Sequence, residues 1–363
     1  MSDEIDEIES LINKGLFNEE LQVNQIDLEE GDPDVIAVID LDFVKYSVSS
    51  VGESRKLKVI HKKSGKEKVF NNRTEFWGRG KKVGGWLAEQ IEEQGVEWTK
   101  EDFEIEDIQE VSEPIENVLH SAKLVVDSAI KSINAGSIIP LIGEGKVFRV
   151  NLSTLLEYKG NRKDTLKPLL LDDVTEYLKK KFKPSVIKDI EVDDKCVMVA
   201  SNDPKYVVVG VDKDYYGCPI NFYNVNRPEE GIVDCRGLGK LWRDDKGKVR
   251  GRGRSFLHWQ VCSQDLSDNY KANCFSDIKW GEVKAYEALV GCKTDKELWE
   301  ATVEVFKTLY PEPKKVKGWV GNEIEINWLY VMQEMFTMAH LHRYSGDFIQ
   351  CDLILKKLGI NYE

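Results

Sequence analysis

The sequence predicts an α/β protein in which a mostly parallel central sheet is flanked by helices. Short, uninterrupted apolar runs such as Val35–Ile39 and Tyr206–Val211 are typical of strands that are buried on both faces. Apolar residues at helical spacing, above all in residues 115–133, predict helices that alternate with these strands. Carboxylates follow the apolar runs directly, and ligands of parallel sheets bind at the carboxyl ends of the strands. We therefore expect one edge of the sheet to gather acidic side chains.

The other elements are predicted in order along the chain. The segments Leu57–His61 and Lys66–Phe70 flank the turn residues 62–65, and this pattern predicts a β-hairpin. The helix at 115–133 is predicted to stop at Gly136. Further predictions are an acidic linker at 97–116, a strand at Ile138–Ile142, a helix at Asp172–Phe182, a fourth strand at Ile220–Tyr223, a flexible basic loop at 243–254 and mainly helices from residue 255 onward, with turn residues near 264–281.

Composition predicts a globular protein without a membrane partner. Hydrophobic residues make up 41% and charged residues 32% of the 363 residues, which fits a soluble chain with a sizeable core. No apolar run approaches the roughly 18 residues of a membrane span, and the N-terminus has no secretory signal. We expect a cytoplasmic location, in the host cell if a phage encodes the chain. The seven scattered cysteines never form a C-x-x-C pair, so reduced thiols are expected and a zinc site is not.

The net charge of −13 is concentrated at the N-terminus. Residues 1–34 hold twelve acidic residues and one lysine, so the remaining 329 residues carry a net charge of only −2. The acidic total therefore does not argue against a nucleic-acid partner. The segment itself is predicted to be either a solvated tail, with a short amphipathic helix at Ile5–Ile12, or a partner-binding segment. Residues 55–82 are basic and include aromatic residues, which is typical both of single-strand binding and of an ordinary surface hairpin.

Acidic residues form several clusters, and a cationic string lies between two of them. The clusters are Asp40 with Asp42, Glu191 with Asp193 and Asp194, Asp212 with Asp214, and Asp265 with Asp268, while the cationic string is Tyr158–Arg162. Clustered carboxylates repel one another unless cations neutralise them. Their commonest use beside cationic side chains is to hold divalent ions that act on a phosphate, often as a pair of ions about 4 Å apart. The pattern predicts a metal-dependent phosphodiesterase.

One competing interpretation uses the first acidic pair differently. Val38–Val44 also fits the nucleophile motif of haloacid-dehalogenase-like phosphatases, in which the first Asp attacks phosphorus and the second acts as an acid. The final acidic pair of that family would then be Asp212 and Asp214. This interpretation leaves Tyr158–Arg162 and the Asp265–Asp268 cluster without a role.

Taken in order, the motifs resemble the 5′ nuclease superfamily, which includes flap endonucleases, the 5′ nuclease domains of bacterial DNA polymerase I and, above all, the exonucleases of T-odd bacteriophages. Val38–Asp40 is similar to the family's first strand and first metal ligand, and Tyr158–Arg162 to the start of its helical arch. Glu191–Asp194 stands where the family has Glu-Ala-Asp-Asp, and Val211–Asp214 resembles its Ser-x-Asp-Lys-Asp. The resemblance covers about residues 35–310.

Three further motifs resemble the family less closely. Glu144 takes the place of an Asp that ends a family strand, and Arg149 follows it where the family has an Arg near the scissile phosphate. Gln264–Asn269 looks like the family's Gly-Asp-x-Ser-Asp-Asn, and Ile278–Ala285 is a degraded form of its Gly-x-Gly-x-Lys-x-Ala. These departures suggest a modified hairpin and leave open whether it binds K⁺ as in relatives.

The resemblance implies a domain organisation and a set of functional residues. The implied regions are an acidic extension at 1–34, a PIN-like 5′ nuclease core at 35–255 with a basic insertion at 51–114 and a helical arch at about 150–185, a helix–three-turn–helix DNA-binding region at 256–311 and a C-terminal helical segment at 312–363. Two Mg²⁺ ions, replaceable by Mn²⁺, would be held by Asp40, Glu144, Glu191 and Asp193 and by Asp194, Asp212, Asp214, Asp265 and Asp268. Charge on the phosphate would be stabilised by Lys159, Arg162 and Arg149, and DNA would be bound by Lys163, Lys167, Lys271, Lys279 and Lys284.

The activity implied by this resemblance is a divalent-metal-dependent 5′→3′ exodeoxyribonuclease that hydrolyses duplex DNA from 5′ ends during replication or recombination, with RNA primers as a further substrate. One alternative is a structure-specific 5′-flap endonuclease. An alternative of another class is a DNA-binding protein with a degenerate site, suggested by Glu144 and by the altered hairpin. We further expect a monomer whose acidic tail binds a replication partner.

Overall fold

The structure is a computed structural model that describes residues 23–79, 84–163, 165–201 and 203–361, apart from the side chain of Lys146. The helix predicted at Ile5–Ile12 lies outside the described residues. The described chain divides into two units. The first comprises the described parts of residues 1–43, 126–165 and 182–363, and the second those of residues 44–125 and 166–181.

The strands, in chain order, are β1 Ile26–Asp27, β2 Asp32–Asp40, β3 Glu53–His61, β4 Glu67–Phe70, β5 Phe103–Val111, β6 Ala135–Val147, β7 Ser185–Asp189, β8 Tyr206–Gly210, β9 Asn221–Asn224, β10 Ile232–Asp234, β11 Lys240–Arg243, β12 Val249–Arg252, β13 Gln264–Asp265, β14 Tyr270–Lys271, β15 Lys314–Lys317 and β16 Glu323–Ile326. The helices are α1 Leu41–Val51, α2 Arg73–Trp77, α3 Gly85–Gln94, α4 Ile115–Ile133, α5 Arg149–Leu152, α6 Leu171–Phe182, α7 Val192–Ala200, α8 Arg254–Cys262, α9 Glu282–Leu289, α10 Asp295–Leu309, α11 Trp328–Ala339 and α12 Cys351–Lys357. Short 3₁₀ helices occupy Gly160–Arg162 and Lys213–Gly217, among others.

The first unit contains a central sheet of mostly parallel strands. Its order is β6-β2-β8-β9-β10, and both β1 and β7 pair with the free side of β6. β2, β6, β7, β8 and β9 run parallel, whereas β1 and β10 are antiparallel. The side chains of Ile36–Ile39 are at most 5% exposed, because neighbouring strands and layers cover both faces of β2. The predicted α/β class with a mostly parallel sheet flanked by helices is therefore confirmed.

Helices pack on this sheet and carry much of the apolar core. α7 packs against β2, β6 and β8, and its Val197 is fully buried. α8 packs against α9, α10 and α11, where Phe306 and Phe336 have no exposed surface. Parallel pairing places the carboxyl ends of β2 and β8 side by side, with Ile39 opposite Val209. That edge of the sheet carries the acidic residues described below.

The second unit contains a small antiparallel sheet of order β4-β3-β5. The predicted hairpin is confirmed, with Leu57 opposite Phe70 and Ile60 opposite Glu67. Phe76 is fully buried with the aromatic residues that cover this sheet, and Arg73 forms an ion pair of 2.6 Å with Asp107. Phe76 is therefore not available for stacking on a base, and the choice between a surface hairpin and single-strand binding stays a prediction.

Several predicted elements need correction. Residues 97–116 are not only a linker, because β5 pairs with β3 along nine residues. Residues 243–254 are not a flexible loop, since β11 and β12 form a hairpin. Within the region from residue 255 onward that was predicted to be mainly helical, Asp265 ends β13 and Asp268 lies in the tight turn between β13 and β14. The C-terminal region also contains the hairpin β15–β16, which the predicted helical segment did not include. The helices predicted at 115–133 and 172–182 are confirmed as α4 and α6.

The arch and the helix–three-turn–helix remain predictions drawn from the resemblance. Residues 149–182 contain α5, the 3₁₀ helix Gly160–Arg162 and α6. α8 and α9 flank the residues that carry the family-like turn motifs. In the part of the chain that the structure describes, no helix has the length and hydropathy needed to cross a membrane.

Candidate functional site

The acidic residues lie where strands end and helices begin. Asp40 is the last residue of β2, and its carboxylate accepts a hydrogen bond of 2.8 Å from the backbone N–H of Asp42. Asp212 follows β8 and caps the next 3₁₀ helix by accepting from the N–H of Asp214 at 2.9 Å. Glu191 is the N-cap residue of α7. Helix N-termini favour negative charge because their free N–H groups point outward, so these local structures tolerate the carboxylates.

Three acidic residues at the start of α7 form a possible metal-binding group. Glu191, Asp193 and Asp194 each offer a carboxylate oxygen, and these oxygens lie within 4.8 Å of one another. Hard oxygen donors of this kind suit Mg²⁺ and Mn²⁺. All three belong to the ligand set that the sequence predicts.

The carboxylates of the neighbouring segments interact electrostatically with this group. Burial, followed by the negative charges of Asp42 and Asp212, raises the pKa of Asp40 from 3.8 to about 7. Burial raises the pKa of Asp193 as well, with Glu191, Asp194 and Asp212 adding to the effect. The three segments, which end β2, follow β8 and begin α7, therefore contribute to one acidic site.

Lys159 brings a positive charge into this site. Its Nζ forms an ion pair with Glu191 and lies 3.7 Å from Oδ1 of Asp268. The nearby carboxylates raise the pKa of Lys159 against the effect of its burial, so the ammonium group stays charged. The Tyr158 hydroxyl lies 3.0 Å from Oε2 of Glu191 and 3.1 Å from Oδ2 of Asp268. A cation in this position offsets the repulsion between carboxylates that come from distant parts of the chain.

The turn between β13 and β14 supplies the other side of the site. Arg162 donates to Oδ1 of Asp268 at 2.8 Å and to the Ser267 carbonyl at 2.9 Å. Asp265 accepts from the N–H of Ser267 at 2.7 Å and forms an ion pair of 2.7 Å with Lys213. Asp265 thus shapes the turn, whereas Asp268 faces the cationic residues.

Asp214 accepts a hydrogen bond from a side chain of α8. Burial and the charge of Asp212 raise the pKa of Asp214, and Nε2 of Gln260 donates to its Oδ1. Gln260 lies on α8, which connects the acidic site to the helical layer of the first unit.

Arg149 does not occupy the position predicted for it. Its side chain has no exposed surface, and its guanidinium donates to Asp194 at 2.6 and 2.7 Å, to Glu191, and to the His340 carbonyl at 2.7 Å. A guanidinium that is enclosed by protein does not reach a substrate phosphate. The structure instead makes Arg149 the internal counter-ion that holds Glu191 and Asp194 together. Both oxygens of Asp194 already accept hydrogen bonds, one of them also from the N–H of His342 at 2.9 Å.

Glu144 also departs from its predicted role. Its side chain is 54% exposed, and its ion-pair partner is Lys188, whose Nζ lies 3.8 Å away. The pairing of β6 with β7 shifts register between Gly143 and Val147, so Glu144 lies in the irregular stretch between these two paired positions. The group of three carboxylates at α7 does not include Glu144.

Asp42 lies close to the acidic site, although it was not among the predicted metal ligands. Its Oδ1 accepts from the N–H of Gly143 at 2.9 Å, and a Cβ on Gly143 would lie only 2.8 Å from its Oδ2. Gly143 therefore allows β6 to approach this carboxylate closely. The Asp-x-Asp spacing with Asp40 was the available sequence signal. Tyr215, whose hydroxyl lies 3.3 Å from Asp40, carried no comparable signal, whereas Tyr158 begins the string Tyr158–Arg162.

The predicted DNA-binding lysines occupy different surroundings. Lys163 is exposed and forms an ion pair of 2.7 Å with Glu157. Lys279 and Lys284 are exposed, and Nζ of Lys284 donates to the Lys279 carbonyl at 2.7 Å. Lys271 is half-buried, and Lys167 is an exposed residue of the second unit. Their role in DNA binding stays a prediction.

The donor set fits divalent metal ions. Carboxylate oxygens from several segments converge, and their burial and mutual repulsion raise the pKa values of Asp40, Asp193 and Asp214. A bound cation would relieve that repulsion. All seven cysteines are free thiols, and all lie outside the possible metal-binding group. No protein-family model and no curated protein matches this chain.

We expect Asp40 to lower the stability of the metal-free protein as the pH rises from about 4 to about 7. Its pKa is raised from 3.8 to about 7, so the folded state binds this proton more tightly than the unfolded state does. The resulting stabilisation is complete below the unfolded pKa and is lost as the pH rises through the folded pKa. Melting temperatures in chelator, measured across this range for wild type and Asp40→Asn, isolate the contribution.

The comparison with Asp40→Asn is necessary because other buried groups act in the opposite direction. Burial lowers the pKa of His258 to about 3 and that of His342 to about 4, which favours stability at higher pH. As the pH rises from about 4 to about 7, the melting temperature of wild type should therefore fall relative to that of Asp40→Asn. Added Mg²⁺ should reverse this fall. Parallel pH profiles for the two proteins would contradict the assignment.

Proposed function

We propose that this protein is a divalent-metal-dependent phosphodiesterase that degrades duplex DNA from 5′ ends, releasing short 5′-phosphorylated pieces. The observation that carries the proposal is the group of buried carboxylates from β2, α7 and the segment after β8, with Lys159 bridging Glu191 of that group to Asp268 of the β13–β14 turn. Mg²⁺, or Mn²⁺ in its place, is the proposed cofactor.

Glu191 and Asp193 are the residues proposed to hold the first ion together with Asp40, while Asp212, Asp214 and Asp268 are proposed to contribute to the second. When bound, such ions supply Lewis-acid activation of water and neutralise charge on a phosphate. Asp194 and Asp265 have supporting roles in this proposal. Asp194 pairs with Arg149, and Asp265 stabilises the turn that presents Asp268.

Lys159 and Arg162 are the residues proposed to contact the phosphate. Their side chains are 27% and 49% exposed, so a phosphate can reach both of them. Fixed positive charge at a phosphate stabilises the charge that develops on its oxygens during cleavage. Arg149 is left out of this role because it is enclosed.

A gel assay on 5′-recessed duplex and 5′-flap DNA, labelled separately at each end, tests the proposal. We expect release of short 5′ fragments with Mg²⁺ or Mn²⁺ and no cleavage in chelator. Preference between the two substrates distinguishes an exonuclease from a flap endonuclease, and an RNA-primed duplex tests primer removal. A phosphatase of the aspartyl-nucleophile class would instead release phosphate from a small phosphomonoester, so such a substrate is included.

Two outcomes would overturn the proposal. Cleavage that persists in chelator would remove the role of the metal. Binding of both DNA substrates without cleavage under any metal condition would support a DNA-binding protein with a degenerate site.

A further inference from the structure

A cavity beside the acidic site is lined by several basic and aromatic side chains. It has a volume of about 620 Å³ and lies in the first unit. Val211 and Lys213 line it, and they alternate along the chain with Asp212 and Asp214 of the acidic site. Its opposite wall is the hairpin β11–β12. A ligand held in this cavity would therefore lie directly next to the acidic site.

The hairpin presents its cationic and aromatic residues on one face. Residues directly opposite in an antiparallel pair point to the same side of the ladder, as do alternate residues of one strand. Lys240 lies opposite Arg252, and Trp242 lies opposite Arg250, so all four side chains share one face. All four line the cavity.

The other face of the hairpin anchors it to the core. Leu241 and Val249 are buried, and a Cβ on Gly251 would lie 2.7 Å from Phe256 of α8. The base of the hairpin is closed by Gly239, which has a φ of +69° and where any Cβ would clash with the Arg252 carbonyl. The cationic face is therefore held in place by packing behind it.

Two of the cations in the cavity have no acidic partner. Lys213, Arg227 and Arg250 pair with Asp265, Glu230 and Asp244 respectively. Within residues 23–79, 84–163, 165–201 and 203–361, no ion pair or side-chain hydrogen bond is made by Lys240 or Arg252. Lys240 instead lies 5.6 Å from the centre of the Trp242 ring, and that tryptophan is 38% exposed. Unpaired cations beside an exposed indole suit a ligand that has both phosphate and an aromatic base.

We propose that this cavity binds a nucleotide unit of a single nucleic-acid strand, with the base stacked on Trp242 and the phosphate at Lys240 and Arg252. The inference rests on the proposed function in taking nucleic acid as the ligand, and it adds the place where an unpaired strand is held beside the acidic site. Aromatic stacking with backbone charge is the usual means of binding single strands without sequence preference.

Fluorescence anisotropy of a short labelled oligothymidine tests the proposal, with the full chain in chelator so that neither metal nor cleavage is needed. We expect Trp242→Ala to weaken binding at least about fivefold, because stacking on one base contributes about 1–3 kcal/mol. Trp242→Phe should keep most of the affinity while reducing the quenching of tryptophan fluorescence. Arg252→Ala should reduce the slope of log affinity against log salt by about 0.7.

Matched controls separate a local effect from a general one. Lys296→Ala removes a charge from the exposed face of α10 and should leave both the affinity and the salt slope close to wild type. Melting curves of all variants should match wild type, because Trp242 and Arg252 are not buried. Inorganic polyphosphate of matched charge should compete poorly with the oligothymidine, since it has no bases to stack.

The outcomes separate this inference from the proposed catalytic function. Wild-type affinity in both Trp242→Ala and Arg252→Ala would overturn the cavity as a binding site, even if the protein cleaves DNA. Equal competition by polyphosphate, with no effect of Trp242→Ala, would overturn the stacked base. Weakened binding in these variants, in a protein that does not cleave DNA, would support the cavity and contradict only the nuclease.

Discussion

Asp193→Asn is expected to lower Mg²⁺-dependent cleavage of DNA by about a thousandfold. Asp193 lies in the first turn of α7, within the group of carboxylate oxygens that suits a metal ion. Metal catalysis contributes several kcal/mol of transition-state stabilisation, and each 1.4 kcal/mol corresponds to a factor of ten in rate. Asparagine keeps the shape of the side chain but removes the charge that a divalent ion requires. Single-turnover rates of 5′-fragment release measure the loss.

The control for this variant is Asp234→Asn, which removes an equally sized charge from an exposed residue of β10. It should cleave DNA at the wild-type rate. Asp193→Asn should remain folded, because burial and neighbouring carboxylates already raise the pKa of Asp193 and disfavour its charge. A folded Asp193→Asn protein with full activity would show that this residue does not hold a catalytic ion.

Arg149→Met is expected to reduce the free energy of unfolding by about 3–5 kcal/mol, the usual effect of removing one partner from a buried ion pair. The guanidinium is fully buried and is the counter-ion of both Glu191 and Asp194. Its removal leaves Asp194 without its counter-ion and takes one donor away from Glu191 and from the His340 carbonyl. Urea unfolding in chelator measures the change without a contribution from bound metal.

Two further variants test the cause of this destabilisation. Arg162→Met removes a half-exposed partner of Asp268 and should lose less than about 1 kcal/mol, since solvent screens exposed ion pairs. The double variant Arg149→Met with Asp194→Leu should be more stable than Arg149→Met alone, because it removes the buried carboxylate that has lost its counter-ion. Equal losses for Arg149→Met and Arg162→Met would contradict a buried counter-ion.

Local pattern was sufficient to predict several strands and helices of the fold. The fully apolar residues before Asp40 predicted a strand that is buried on both faces, and β2 has that character. The periodicity of residues 115–133 predicted α4. Because Asp40 and Asp212 follow parallel strands directly, their convergence could also be predicted. These conclusions depend on neighbouring residues alone, so the sequence carries them.

Long-range packing decided what the sequence pattern left open. Arg149 is a counter-ion because α7 and the segment around His340 enclose it, and neither lies near it along the chain. Glu144 follows the apolar residues of β6, as the pattern required, but it lies where the pairing of β6 with β7 shifts register, and its ion-pair partner there is Lys188. Residues 243–254 were predicted to form a flexible loop because they are mostly basic and contain few apolar residues. Pairing of β11 with β12 nevertheless buries Leu241 and Val249 against α8. The sequence by itself thus determined the class of fold and the identity of most acidic residues at the site. Only the tertiary structure decided which charges are enclosed and which face solvent, because burial depends on contacts between residues that are distant in sequence.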